Sequence, residues 1–259
     1  AMRSVQTAVT DIHHVHPSLY CTRGQVKIGA SMYDAEMTTY GIWASLYVAG
    51  VVALLFQIIG KPIGVASVVG GGFLAMAIYI LHRISPEVNE AMQRRHRQAL
   101  EHKRTMLFLF GLASIVACGM LYMVKPILLL LLPIGCIAVT LYGRKTVCYP
   151  IRNIIFLKPI AVGTSIAMLG WVLTNAPDSL WLPIGAIAMA IVVSADALLC
   201  DIQDVDYDKT CGCITLPAST RELTIWFIAF SMNIVAACLL WFAAESITGW
   251  IMLLIFPTL

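Results

Sequence analysis

The sequence predicts an all-α protein, a polytopic transmembrane helical bundle of about eight spans. Three observations carry that prediction. Of 259 residues, 59% are hydrophobic and only 12% are charged, with a mean hydropathy of +0.84; a soluble domain carries roughly twice that charged fraction. The apolar residues fall in long uninterrupted runs, and about 20 such residues cross the hydrocarbon as a helix. The runs are also too long and too uniform for barrel strands, which alternate over about 10 residues.

Residues 1–39 are mixed and polar, including "DIHHVHPSLY". They lack the apolar centre of a cleavable signal peptide and read as an N-terminal cytoplasmic or interfacial segment. His13, His14 and His16 read as a surface piece rather than as metal ligands. The transmembrane domain then occupies 40–259, with runs near 40–60, 63–84, 105–124, 126–142, 154–174, 180–200, 222–243 and 246–259. The second run contains Gly70, Gly71 and Gly72, which permit close helix packing inside a span. Cys118, Cys136 and Cys238 lie within runs, where a thiol behaves as a small hydrophobe. The eighth run is short and ends in "FPTL", so it either spans with little margin or lies partly in the interface.

The 17 Lys and Arg residues are distributed unevenly. Six fall between Arg83 and Arg104, four between Arg144 and Lys158, and Lys209 and Arg221 follow the sixth run. The intervening loops hold little more than Lys61 and Lys125. The positive-inside rule therefore predicts that the loops after spans two, four and six are cytoplasmic, together with the N-terminus. Cys211 and Cys213 fall on that reducing side, so no disulfide is expected there. The net charge of +3 calls for no nucleic-acid partner, because these cations sit where anionic membrane lipid attracts them.

The sixth run leaves the membrane into "DIQDVDYDKTCGCITLP", and five carboxylates lie between Asp196 and Asp208. If the helix continues outward, Asp201, Asp204 and Asp208 share a narrow stripe, with Asp206 turned nearly opposite and Asp196 off the stripe. Three like charges on one face repel, and they sit at a helix C-terminus, where the dipole disfavours anions. A cation between them would offset both costs. Hard oxygen ligands suit Mg²⁺, which keeps several waters and recruits substrate phosphates. The competing reading is a solvated acidic helix end.

The phrase D-x-x-D-x-x-x-D, followed by Lys209, Gly212 and "TLP", resembles the second aspartate-rich motif of the UbiA superfamily of intramembrane prenyltransferases. Upstream, the "YGR" at Tyr142–Arg144, the "LKP" at Lys158 and "FLAMAIYILHRI" at the end of the second run resemble the family's helices in the same order. The resemblance covers about 40–259 and implies a UbiA-like fold. It implies Mg²⁺ on Asp201, Asp204 and Asp208, which would also be the catalytic carboxylates. It further implies that Lys209, Arg144, Lys158, Glu87 and Glu90 face a prenyl diphosphate donor, and the guanidinium groups of Arg94 and Arg97 in the basic loop suit that donor's phosphate oxygens. The implied activity is transfer of the prenyl group to a lipid-soluble, aromatic acceptor. Mg²⁺ and basic groups would stabilise the charge developing on the diphosphate, and an apolar cavity would keep water from the allylic cation.

The chain departs from the family's pattern in two places. Where the first motif expects Asn-Asp it has His82 and Arg83, with Pro86 near the next aspartate position and Glu87 and Glu90 as the remaining acids. Arg83 is also spaced to pair with Glu87, and the whole segment reads equally as a basic loop. The family has nine spans, and room for eight leaves an opened cavity, a membrane-protein partner in place of the ninth helix, or a chain that ends early. Two alternatives to a transferase therefore stand: a terpene cyclase of the same type, or a non-catalytic membrane subunit that kept the second motif and lost the first.

Overall fold

The computed structural model describes residues 40–85, 94–143, 155–175, 181–210 and 215–243. Among these the chain is helical, without strands. The helices are α1 Ile42–Ile58, α2 Val65–Ile84, α3 Arg94–Glu101, α4 Lys103–Val124, α5 Leu131–Gly143, α6 Leu157–Thr174, α7 Trp181–Ile202, α8 Val205–Thr210, α9 Leu216–Ser219 and α10 Glu222–Ala243; a 3₁₀ turn, Pro126–Leu130, leads into α5.

Five of these helices, α2, α4, α6, α7 and α10, are long and apolar enough to cross a membrane. Two shorter apolar helices accompany them, Ile42–Ile58 and the stretch Pro126–Leu141. The 17 residues of α1 rise only about 25 Å at 1.5 Å each, short of a hydrocarbon core of about 30 Å. These seven helices coincide with the first seven apolar runs; the eighth, 246–259, lies outside the described residues. The chain is a multi-pass membrane protein by this pattern.

The helix α1 is the centre of the bundle. Its Val48, Val52 and Phe56 pack with Leu74 of α2, Leu121 of α4 and Leu173 of α6. One step around the same helix, Val51, Leu54 and Leu55 pack with Ala167 of α6 and with Leu182, Met189 and Val193 of α7. A helix buried on two sides needs no polar face, which explains an apolar stretch without amphipathic period. Outside this core, α4 packs on α2, and α10 packs on α7. Their outward faces expose Phe108, Ile115, Phe227 and Phe230. Lipid tails are as apolar as these side chains, so such a face suits a bilayer rather than water.

Spans consecutive along the chain run antiparallel. Gly70 near the start of α2 lies against Met120 and Leu121 near the end of α4, while Ile80 and Ile84 meet Met106 at the start of α4. Lys125, just after α4, donates a 2.7 Å hydrogen bond to Asn175 Oδ1, just after α6. Asn175 has φ +48°, the left-handed turn with which Asn commonly ends a helix. Ala188 of α7 packs with Leu240 of α10, and Leu198 packs with Ile225. One edge of the bundle therefore holds Arg83, Arg97, Lys103, Arg104, Lys158 and the aspartate cluster. The opposite edge holds Lys61, Lys125 and Asn175. The described parts of the cationic loops, 94–104, 201–210 and 215–221, thus share one edge as their charge predicts, while the loop at 144–154 lies outside the described residues.

Candidate functional site

The site is built where α6 starts and α7 ends. Close approach of these two helices comes from Gly163. A Cβ there would lie 2.1 Å from Ser194 Oγ and 2.3 Å from the Ala190 carbonyl oxygen, so only glycine allows the helices to meet at this distance. Further out along the same seam the Lys158 ammonium meets the Asp201 carboxylate in an ion pair. Asp201 is 5% exposed. The turn into α6 passes through Phe156 at φ +68°, a left-handed conformation that is costly for a bulky residue. Pro159 stands in the first turn of α6, where a missing N–H leaves no hydrogen bond unmade.

Beyond Asp201 the helix does not run straight on. It stops at Ile202, turns through Gln203 and Asp204, and resumes as α8 from Val205 to Thr210. The Asp204 N–H donates to the Asp201 carbonyl at 3.1 Å, and the Asp208 N–H donates to the Asp204 carbonyl at 2.8 Å. The continuous two-turn extension expected from the sequence is thus replaced by a turn and a short helix. Anionic side chains at a helix C-terminus disfavour continuation, which accounts for the break. The burial pattern nevertheless follows the stripe: Asp201 and Asp208 are buried, Asp204 is half-buried and Asp206 is exposed. Asp208 and Asp204 both lie near enough to Asp201 to repel its charge, and Lys158 opposes them.

The "TLP" phrase folds back as α9. Leu216 packs on Leu198 of α7 and Ile225 of α10, and the Thr220 hydroxyl donates to the Leu216 carbonyl at 2.8 Å. This places Thr215 beside the ion pair. Phe156, Lys158, Pro159, Leu198, Asp201, Thr215, Leu216 and Pro217 line one cleft, which in this conformation has room for no more than about one water. Thr215 is 4% exposed, and its hydroxyl has no hydrogen-bond partner among the described residues. Sequence reading passed over Thr215; the signal available was its place in "TLP", next to the aspartate phrase.

A second polar pair lies deeper. Tyr47 of α1 donates to Asp196 Oδ2 at 2.7 Å across the bundle. An ionisable side chain inside a span is held by such a partner, because its charge is costly in hydrocarbon.

The remaining expected site residues are dispersed. Lys209 is exposed on α8, and Arg97 is exposed on α3. Arg94 opens α3, in a segment the charge pattern reads as a loop, while Glu87, Glu90 and Arg144 lie outside the described residues. Arg83 is buried and donates to the Tyr79 hydroxyl at 2.6 Å, with its guanidinium 4.7 Å from the same ring.

The donor chemistry here suits a divalent cation in kind, being carboxylate oxygen. Asp201 is engaged by Lys158, and among the described residues no three carboxylate, imidazole or thiol groups gather as a metal site. Compared with family models, with curated proteins and with solved structures, the chain matches none.

Proposed function

We propose that this chain is a UbiA-like intramembrane prenyltransferase that takes the diphosphate of a prenyl donor at the outer ends of α6, α7 and α9. The observation that supports the reading is the convergence of Lys158, Asp201 and Thr215 on one cleft, beside the aspartate phrase that resembles the family's second motif. Lys158 supplies a cation and Thr215 a hydroxyl without a hydrogen-bond partner among the described residues, two groups that bind phosphate oxygens. In the proposed reaction the C1–O bond of the donor breaks and its electron pair leaves on diphosphate. A carbon of an aromatic, lipid-soluble acceptor bonds to the prenyl C1, and the proton displaced from that carbon passes to solvent or a carboxylate at the mouth. The ammonium and hydroxyl stabilise the charge that develops on the leaving group. The edge carrying the cluster is cytoplasmic in this reading, by its excess of cations.

The experiment is diphosphate release from a panel of prenyl diphosphates by the purified chain in lipid nanodiscs, with and without Mg²⁺, and with an aromatic acceptor present or omitted. Release that depends on acceptor supports transfer. Release without acceptor, together with a cyclised hydrocarbon product, points to a terpene cyclase instead.

One observation favours a second, non-catalytic reading. Lys158 already neutralises Asp201, and the cleft is narrow, which is also what a structural pin between two helices looks like. A membrane subunit of this kind would release no diphosphate from any donor, and would instead present its apolar flanks to a membrane-protein partner.

A further inference from the structure

The corner between α3 and α4 is an open groove of about 410 Å³ on the same edge as the aspartate cluster, bounded by Glu101, His102, Lys103, Arg104, Thr105 and Leu107. Its shape is fixed from beneath. Met106 is fully buried and packs with Ala99 of α3 and with Ile80 and Ile84 of α2. The side chains on either side of Met106 are turned outward. His102, Lys103 and Arg104 are exposed, and within the next turn Leu107 and Phe108 are 47% and 69% exposed. Among the described residues, neither Lys103 nor Arg104 takes part in an ion pair.

Along one helix face the order is therefore cation first and bare apolar surface next, at the place where α4 begins its span. A phospholipid has the same order from phosphate to acyl chain. Two exposed full charges face one carboxylate, Glu101, so the groove is net cationic. A soluble phosphate would use only the charged half and leave Leu107 and Phe108 uncovered. We propose that this groove binds an anionic phospholipid, with its headgroup phosphate on Lys103 and Arg104 and an acyl chain along Leu107 and Phe108. The groove shares no lining residue with the Lys158–Asp201 cleft, and the proposal does not depend on what that cleft does. Each basic group near an anionic bilayer surface contributes enough that losing two weakens binding by roughly thirtyfold.

The test uses the full chain purified from mixed phosphatidylglycerol and phosphatidylcholine nanodiscs, with retained lipid measured by native mass spectrometry. The wild type should keep phosphatidylglycerol in preference to phosphatidylcholine. The double variant Lys103→Gln/Arg104→Gln should lose that preference, with phosphatidylglycerol retention falling by roughly thirtyfold. Lys61→Gln, which removes a cation at the opposite edge, should keep it. Equal retention of the two lipids by the wild type overturns the proposal, and so does a double variant that holds phosphatidylglycerol as the wild type does. Full displacement of the lipid by inorganic phosphate would also overturn it, because the groove would then be a site for soluble anions. All the substituted side chains are exposed, and an unchanged melting temperature in phosphatidylcholine alone confirms that the variants fold.

Discussion

Lys158 and Asp201 pin the first turn of α6 to the last turn of α7, an ion pair made at the membrane edge with the carboxylate buried and the lysine one-fifth exposed. Their relationship follows from Gly163, which lets the two helices close to contact further in. Everything at the candidate site hangs on that seam.

Breaking the pair from one side leaves the other charge without its counter-ion. Lys158→Met should destabilise the protein by about 3 kcal/mol, the low end for a buried pair because the lysine is partly solvated. The double variant Lys158→Met/Asp201→Leu should recover most of that loss. Thermal melts of the four proteins in nanodiscs form the double-mutant cycle. Purely additive effects would contradict a direct pair.

Gly163→Ala should cost about 1–3 kcal/mol, because its methyl meets the Ala190 carbonyl, which cannot swing aside as a side chain can. Gly111→Ala is the contrast: no atom lies within 4 Å of a Cβ there. It should be neutral or should raise stability by up to about 1 kcal/mol through helix propensity. Equal effects of the two substitutions would mean that α6 and α7 are not in close contact.

If the cleft acts on a prenyl diphosphate, Asp204→Ala and Asp208→Asn should lower diphosphate release on the order of a hundredfold. Thr215→Val, which keeps the shape and removes the buried hydroxyl, should raise the donor KM more than it lowers kcat. None of the three should lower the melting temperature by more than a few degrees, since each either keeps the side-chain volume or relieves like-charge repulsion. Melts run beside the assay separate lost chemistry from lost fold.

The antiparallel packing fixes which loops share an edge. In a chain cleared of its own cysteines, single cysteines replacing the exposed Arg97 and Lys209 should react with a membrane-impermeant thiol reagent from the same side. A cysteine replacing Lys61 should react from the other. The orientation proposed from the positive-inside rule expects that first side to be the cytoplasm. Labelling of 97 and 209 from opposite sides would refute the arrangement.

The sequence by itself determined the helical class, the positions of the first seven apolar helices and, among the described residues, the grouping of most cations on one edge. Hydrophobic run length and charge are local quantities, and the bilayer reads them residue by residue. Spacing also told the buried Asp201 and Asp208 from the exposed Asp206, although the helix breaks at Gln203–Asp204, but it did not mark Asp196, which meets Tyr47 inside the bundle. The break itself was not legible, since carboxylate repulsion and the helix dipole oppose a continuous helix there without saying where it yields. Only the tertiary structure decided who faces whom. The pairing of Lys158 with Asp201, the Tyr47 hydroxyl on Asp196 and the placing of Thr215 in the Lys158–Asp201 cleft all join residues from different parts of the chain. Those meetings are set by how closely the helices pack, down to one missing methyl at Gly163, and no local pattern in the chain encodes that distance.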